Sequence, residues 1–474
     1  MNNDNLAVNA VSSTDARTNW PTAEDVRPHK ISFDAERCDE ATIADAAIGI
    51  LREEYPRLVS YGGQLYGYRA ESGVFERLAD DKVKRLIKSF SGAPLMGPNR
   101  KGEDVTVRLL AVSNGKVNGV VQLIHVELSD PTFFDDAPTG VAFRDSFVRV
   151  DQSGIHEELL SPAHRARYRY DFDFRGDEEA TRFQKFLGDV FLDDPDHADK
   201  IAAIQEFVGA AITGLATRYE RALVPFGRGA NGKSTLLRMI EATMPPGSAT
   251  SIAPALWGDQ YQRPLLNGAR LNVVPDLTDD QLGPAVKGII SGEGVAARNP
   301  GGGKAFAFKP RCAHLFACNE LPKTKDTSPG FWRRWLIIEM RRNFQGDSNR
   351  DPHIVDKIVP TELPAIVRWA LAGAVRLAQS GDYTLPASHS LMIDRWAGVS
   401  DPVKHYVERR TEPDDKGTSA TELYDDFIRW AEPFGAHTGC GSVASMGKAL
   451  TKMGVQAGRS ASGVVYYISP KSGA

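Results

Sequence analysis

The chain has 474 residues, 42% of them hydrophobic and 25% charged, with 57 Lys and Arg against 61 Asp and Glu and a formal net charge of −4. That length exceeds a single hydrophobic core and implies about two to four domains. The charge balance gives no global sign of a nucleic-acid binder, although a ring-shaped motor can confine its basic residues to a central channel, and the absence of a run of about 18 apolar residues argues against a membrane span.

The four cysteines, Cys38, Cys312, Cys318 and Cys440, are scattered without a C-x-x-C pair. Neither a zinc site nor a disulfide framework is expected, which fits a reducing cytoplasm. Residues 1–27 read as a flexible polar tail with no apolar signal region, so a cytoplasmic location, in a bacterial host cell, is expected.

Residues 28–135 read as an N-terminal α/β domain. Glu40–Glu54 has helical spacing, with Ile43, Ala46, Ala47, Ile50 and Leu51 as its apolar positions. Leu58–Tyr68 reads as a hairpin around Gly62-Gly63, followed by a strand at Val74–Leu78. Asp80–Phe90 returns to helical spacing, and its Lys82, Lys84, Arg85 and Lys88 read as a solvated face. Gly92–Lys101 reads as a loop.

Residues 136–215 read as linker strands followed by a helical collar. Asp171 and Asp173 form a D-x-D pair that could hold metal for nucleotidyl transfer. With no accompanying histidine or zinc pattern, a polar-out strand edge is the better account. Ala180–Phe191 and His197–Ile212 have helical periodicity and read as core-packing helices.

Residues 216–385 carry the chemistry. The apolar run Ala222–Phe226 leads into Gly227-Arg228-Gly229-Ala230-Asn231-Gly232-Lys233-Ser234-Thr235 and then a helix. Strand, glycine loop and helix in that order make a phosphate loop. Gly227 and Gly232 let backbone N–H groups face a ligand, and the helix adds its positive end. Lys233 suits the β- and γ-phosphates, and Ser234 a Mg²⁺ ion. Leu271–Asp276 reads as a buried strand ending in a carboxylate, the position for Mg²⁺ or its water, with Asp279 and Asp280 as weaker candidates. A helix is expected over Leu282–Ile290. Val295–Asn299 and Ala305–Lys309 form a hairpin around Pro300–Lys304. Lys304 at its tip, with Arg298 on its stem, suits a DNA phosphate. Ala313–Cys318 is a further strand, ending in Asn319, whose amide suits orientation of the attacking water. Arg333 and Arg334 precede the strand Leu336–Glu339, where an arginine can reach a neighbouring subunit's nucleotide. Thr361–Ala378 reads as a helix.

Residues 386–474 read as a linker, over about Asp382–Ser390, and a winged helix. Val403–Arg410 is helical, Ser419-Ala420-Thr421-Glu422 is a capping box opening a second helix, and Ser442–Met453 is a third. A hairpin over Gln456–Ile468 completes the order. Lys448, Lys452 and Arg459 are candidate phosphate contacts, although many winged helices serve only protein contacts.

Taken together, the loop Gly227–Thr235, Gly268-x-Arg270 leading to Asp276, Val286–Glu293, Phe316-Ala317-Cys318-Asn319-Glu320-Leu321-Pro322 and Arg333-Arg334 resemble the superfamily three helicases. Within these they are similar to the C-terminal helicase part of phage and plasmid primases, akin to the poxvirus primase-helicase. The strong motifs lie over about residues 227–334. The resemblance implies an AAA+ type P-loop NTPase core, ATP and Mg²⁺ as cofactors, and a homo-oligomeric, hexameric ring moving 3′→5′ on single-stranded and forked DNA. A separate primase or polymerase is an expected partner. It also implies Lys233 and Ser234 as phosphate and Mg²⁺ residues, Asp276 as the acidic strand-end residue and Asn319 as the sensor. Arg334, with Arg333 second, would be the arginine finger, and Lys304 the DNA-contacting tip. The family's usual acid is Glu, so Asp276 is a departure. The sequence before the helicase region is too short for a primase-polymerase domain, so priming is not implied. The expected function is an ATP-dependent DNA helicase in replication of a phage, prophage, satellite or plasmid. An origin-binding initiator using ATP as a structural switch is the alternative. A small-molecule kinase would leave Asn319, Arg334 and the hairpin without a role.

Overall fold

Buried parallel strands need continuous apolar runs rather than alternation, and such runs build the central sheet here. The computed structural model describes residues 31–278, 282–300, 305–347, 350–432, 440–460 and 463–471. The expected tail, residues 1–27, lies outside them, as do Asp279, Asp280 and Lys304. The chain divides into two compact units. One comprises the residues up to Glu54 together with Leu78–Ser129, and the other Tyr55–Arg77 with everything from Asp130 onward. The stretch 28–135, expected as one domain, is therefore cut by the excursion of Tyr55–Arg77 into the second unit.

In the first unit the helices Glu40–Glu54 and Asp80–Ser89 form where their spacing indicates, joined by a third at Asn114–Glu127. The stretch Gly92–Lys101, expected as a loop, contains the strand Pro94–Pro98. It lies between Phe33–Asp34 and Asp104–Leu109 in a three-stranded sheet. Its prolines stand at the strand's two ends, where the missing N–H groups cost the ladder least.

In the second unit five strands form one parallel sheet: β1 (Ala222–Phe226), β2 (Ala249–Thr250), β3 (Leu271–Val274), β4 (Ala313–Phe316) and β5 (Trp335–Glu339). Their order is β2-β3-β4-β1-β5. Every residue of β1, β3 and β4 is buried. On one face Leu223, Val273, Leu315 and Ile338 pack against the helices α1 (His197–Thr213), α2 (Lys233–Ala242) and α3 (Ile354–Ser380). On the other face Val224, Val274, Phe316 and Ile337 meet Trp257 and the aromatic side of the meander Arg57–Tyr61, Gln64–Arg69 and Val74–Arg77. The α/β class expected from the sequence holds.

The helix α3 runs well beyond the expected Thr361–Ala378 and has the length and apolar composition to cross a membrane, with a mean hydropathy of 1.3 over its most apolar window. The expectation that no such segment exists is corrected on that measure. Its buried positions, including Ile366, Val367, Ala370, Leu371 and Leu377, belong to the core beside the sheet.

Several shorter segments also differ from expectation. The pair Asp171 and Asp173 lies outside any strand, exposed and within ion-pair range of Arg144. Tyr170, Phe172 and Phe174 between them turn inward onto Phe143, so the alternation is real while the strand is not. The helix expected over Leu282–Ile290 is confined to Val286–Ile290.

The stretch expected as a linker, about Asp382–Ser390, runs into the helix Ala387–Ser400. It covers β5, an edge strand of the sheet, which would otherwise present unpaired backbone groups. The Trp396 ring packs tilted against Trp335 with centroids 4.9 Å apart, and His389 Nδ1 accepts the Ile337 N–H at 3.2 Å. Burial, aided by the nearby Arg221 charge, pushes the His389 pKa down to about 4. The folded pKa lies below the ordinary 6.5, so the neutral ring's contribution is complete above pH 6.5. It is lost as pH falls from there toward 4. Between pH 7.5 and 5 this amounts to about 2 kcal/mol. A His389→Asn variant keeps an acceptor for Ile337 without titrating. Urea titrations at the two pH values should show its acid destabilisation smaller than the parent's by about that amount.

The C-terminal part of the second unit has its own core of Val403, Tyr406, Leu423, Phe427, Met446, Leu450, Tyr466 and Ile468. The helices Pro402–Arg410, Ala420–Ala431 and Val443–Lys452 pack with a three-stranded antiparallel sheet. Its strands are Thr411–Ser419, Ala457–Ser460 and Gly463–Pro470, and the last of these is central. The Ser419–Glu422 capping box forms reciprocally.

Candidate nucleotide site

The strand β1 is buried throughout and ends at Phe226, and the chain then turns through Gly227–Gly232 into α2. A side chain at Gly227 would meet the Met340 carbonyl at 2.5 Å, so only glycine fits. Gly232 has φ +85° and caps α2 without a side-chain hydrogen bond. The first N–H groups of α2 are thus left for a ligand. Ala230 adopts φ +62° without being glycine. Its carbonyl accepts the Phe344 N–H at 2.7 Å.

Asn231 is buried and joins two parts of the site. Its Nδ2 donates to the Met340 carbonyl at 2.8 Å, and its Oδ1 accepts from Lys233 Nζ at 2.9 Å. Lys233 also donates to the carbonyls of Gly227 and, at 3.0 Å, Arg228. Burial lowers the Lys233 pKa below its ordinary value, opposed by the nearby Cys318 and Asp276. The segment after β5, through Met340 and Phe344, therefore clamps the loop. No motif in the sequence announces this role.

The ends of β3 and β4 complete the site. The Cys318 N–H donates to Pro225 and the Gly227 N–H to Cys318, each at 3.3 Å. The Leu277 N–H donates to Ala317 at 2.8 Å. These bonds bring Asp276 and the base of Asn319 to the same carboxyl edge of the sheet as the loop. That edge is where open α/β sheets bind ligands. Asp276, Asn319, Ser234 and Gly229 are exposed, and Thr235 is half-buried in the first turn of α2.

This donor set fits a triphosphate with Mg²⁺. The buried ammonium has only neutral oxygens as hydrogen-bond partners, and a hydroxyl and a carboxylate stand nearby. Among the described residues no cluster of three or more His, Cys, Asp or Glu could hold a metal. Mg²⁺ does not need one, since it is commonly held by one or two protein oxygens, phosphate oxygens and water.

The arginine pair lies elsewhere. Trp335 at the start of β5 pairs with Ala222 at the start of β1, so Arg333 and Arg334 stand at the amino edge. A five-residue strand separates that edge from the loop by about 16 Å. The Arg334 side chain is 9% exposed and turned inward. It donates to Ser291 Oγ at 2.7 Å, to the Lys287 carbonyl at 3.1 Å and to the Gly330 carbonyl. The Arg333 side chain is 60% exposed, and Glu220 is its ion-pair partner at 2.7 Å.

Of the expected DNA contacts, Lys304 lies outside the described residues and Arg298 is half-buried on its strand. Lys448, Lys452 and Arg459 are exposed. Lys448 borders a groove of about 430 Å³ whose wall includes Val443, Val464 and Tyr466.

A family of unknown function (DUF5906) matches residues 226–334, the stretch from the end of β1 to Arg334. The chain is 25% identical over 247 residues to "Putative helicase 121R" of Invertebrate iridescent virus 3. The match covers 48% of this chain and 26% of that protein, so the chain spans about a quarter of its viral relative. Two solved apo structures of the NrS-1 C-terminal region are also similar. One has a TM-score of 0.49 at 12% identity, covering 91% of this chain and 99% of the other. The second, of residues 305–718, has a TM-score of 0.45 at 11% identity, covering 92% and 100%. The similarity to a viral helicase bears out the helicase-like resemblance read from the motifs.

Proposed function

We propose that the chain is an ATP-driven DNA helicase subunit that works as a ring in replication of a phage or related mobile element. The observation that carries this reading is the division of catalytic groups between two edges of one sheet. Lys233, Ser234, Asp276 and Asn319 share the carboxyl edge, and Arg333 is exposed at the amino edge, out of reach of its own loop. A head-to-tail ring would bring one subunit's amino edge to the next subunit's loop. The strand order β5-β1-β4-β3-β2 supports an AAA+ type core, and the helix-strand-helix-helix-hairpin order after Pro402 supports a winged helix.

In this reading the loop N–H groups and Lys233 bind the β- and γ-phosphates, and Ser234 and Asp276 would hold Mg²⁺, which neutralises phosphate charge. Asn319 orients the attacking water, and Arg333 of a neighbouring subunit stabilises charge on the transferred phosphoryl group. The arginines differ in rank from the sequence expectation: Arg333 takes the finger role and Arg334 anchors its strand. The hairpin bearing Arg298 and Lys304, with Lys448, Lys452 and Arg459, would meet DNA phosphates.

A forked duplex with a single 3′ or 5′ tail tests the reading. ATP-dependent strand release on the 3′-tailed fork is expected, with hydrolysis stimulated by single-stranded DNA. Tight duplex binding with no release on either fork would replace the helicase by the origin-binding switch.

A further inference from the structure

The Gly268-x-Arg270 motif has no part in the nucleotide site. It leads into the amino end of β3, and Lys309–Arg311 leads into the amino end of β4, one strand length of about 13 Å from the carboxyl edge. There Arg270 and Arg311 meet Arg165 and Arg167 in the wall of one cavity, with Lys309 on the same wall. Gly268, at φ +82°, leaves the space that the Arg167 guanidinium fills.

The four guanidiniums reach only neutral oxygens. Arg165 donates to the Phe133 carbonyl at 2.7 Å, and Arg270 to the Gly140 carbonyl at 3.0 Å. Arg311 donates to the carbonyls of Ala137, at 2.7 Å, and Asp135. Arg167 lies 4.4 Å from the Phe134 ring centroid and reaches the Asn267 amide oxygen at 3.4 Å. The carboxylate in the wall, Asp135, accepts from the Tyr61 hydroxyl at 2.6 Å and the Lys309 N–H at 3.3 Å. Five basic residues, four of them arginines, thus line a pocket with one carboxylate that is already engaged. Burial, then repulsion from Arg311 and Arg167, pushes the Arg270 pKa down to about 10. Burial likewise lowers that of Arg311, against the opposing charges of Asp135 and Asp136. Both remain charged at neutral pH, and partly desolvated like charges gathered in this way call for an anion.

The cavity measures about 40 Å³. On that measure a water needs about 10–15 Å³, so the space holds roughly three or four water-sized groups. That suits the oxygens of one tetrahedral anion and excludes a nucleoside. The excess of several positive charges favours a dianion over the single charge of a phosphodiester. We propose that this pocket binds a phosphate group, free or as a terminal phosphomonoester, at a site separate from the phosphate loop. Guanidinium forks match the geometry of phosphate oxygens.

The full-length Lys233→Ala chain, which disables the phosphate loop, is the background for the test. The probes are inorganic phosphate and adenosine monophosphate, each against chloride at equal ionic strength. Phosphate near 100-fold over its Kd should raise Tm by roughly 3–6 °C. Calorimetry should show Arg167→Gln weakening phosphate by at least about tenfold. Lys309→Ala, at an exposed position, guards against a misfolded Arg167 variant and should weaken phosphate by about threefold. Adenosine monophosphate matching or exceeding phosphate would identify a terminal phosphomonoester as the source, and phosphate alone would identify the free ion. The proposal is overturned if neither phosphate nor adenosine monophosphate does more than chloride, or if neither variant changes the affinity of the probe that binds. It is equally overturned if a short unphosphorylated single strand, and neither small probe, gives the Arg167-dependent shift.

Discussion

Replacing Lys233 with alanine is expected to lower ATP turnover by at least about 10²-fold, the scale set by removing a preorganised donor from a site of developing charge. The expectation rests on how the ammonium is held. It is buried, and its acceptors are the Gly227 and Arg228 carbonyls and Asn231 Oδ1, all on the loop that would cradle the phosphates. An incoming phosphate replaces weak neutral acceptors with anionic oxygens, so the exchange is favourable. Lys233→Arg should fail as well, because a planar fork cannot occupy a pocket shaped around a compact ammonium. The folded core should survive both changes, since α2 packs through Leu236, Leu237, Met239 and Ile240. Phosphate release at saturating ATP, with and without single-stranded DNA, measures the effect. Turnover within about tenfold of the parent in Lys233→Ala would remove the loop from the mechanism.

The parts of this architecture visible in the sequence are those whose cause is local. β1, β3 and β4 are short buried runs, and each is followed at or just beyond its carboxyl end by a candidate site residue, so strand and candidate site share one local pattern. The Ser419–Glu422 cap is another local pattern. Segments whose conformation depends on distant partners were harder to see. Asp104–Leu109 is exposed on both faces, so it shows no alternation of burial. Thr411–Ser419 is rich in turn-forming residues and pairs through its backbone with Gly463–Pro470. Ala387–Ser400 buries Ser388, His389 and Gly398 beside Met392 and Trp396, which blurs the helical stripe. The arginine pocket draws on residues near 135, 165, 270 and 310, gathered only by the topology of the sheet. The sequence likewise placed two arginines before β5 but held nothing to say which of them turns inward.

Arg333→Ala should lower turnover by about 10³-fold or more, the range found for arginine fingers. Nucleotide affinity and Tm should stay near the parent values, because the lost ion pair is exposed. Arg334→Ala should behave differently. It strips Ser291, two backbone carbonyls and Glu220 of a buried guanidinium, and should cost about 2–4 kcal/mol of stability, read as a fall in Tm. The two failures have different sources, and mixing separates them. Arg333→Ala keeps an intact phosphate loop, and Lys233→Ala keeps an intact finger. If the finger acts across a head-to-tail interface, equal amounts assembled together pair an intact loop with an intact arginine at about one interface in four. Turnover should then recover toward about a quarter of the parent value, although each variant alone is inactive. Recovery no greater than the sum of the two separate activities would return Arg333 to its own chain, where Glu220 holds it at 2.7 Å, and would leave the division between the sheet's two edges without a catalytic role.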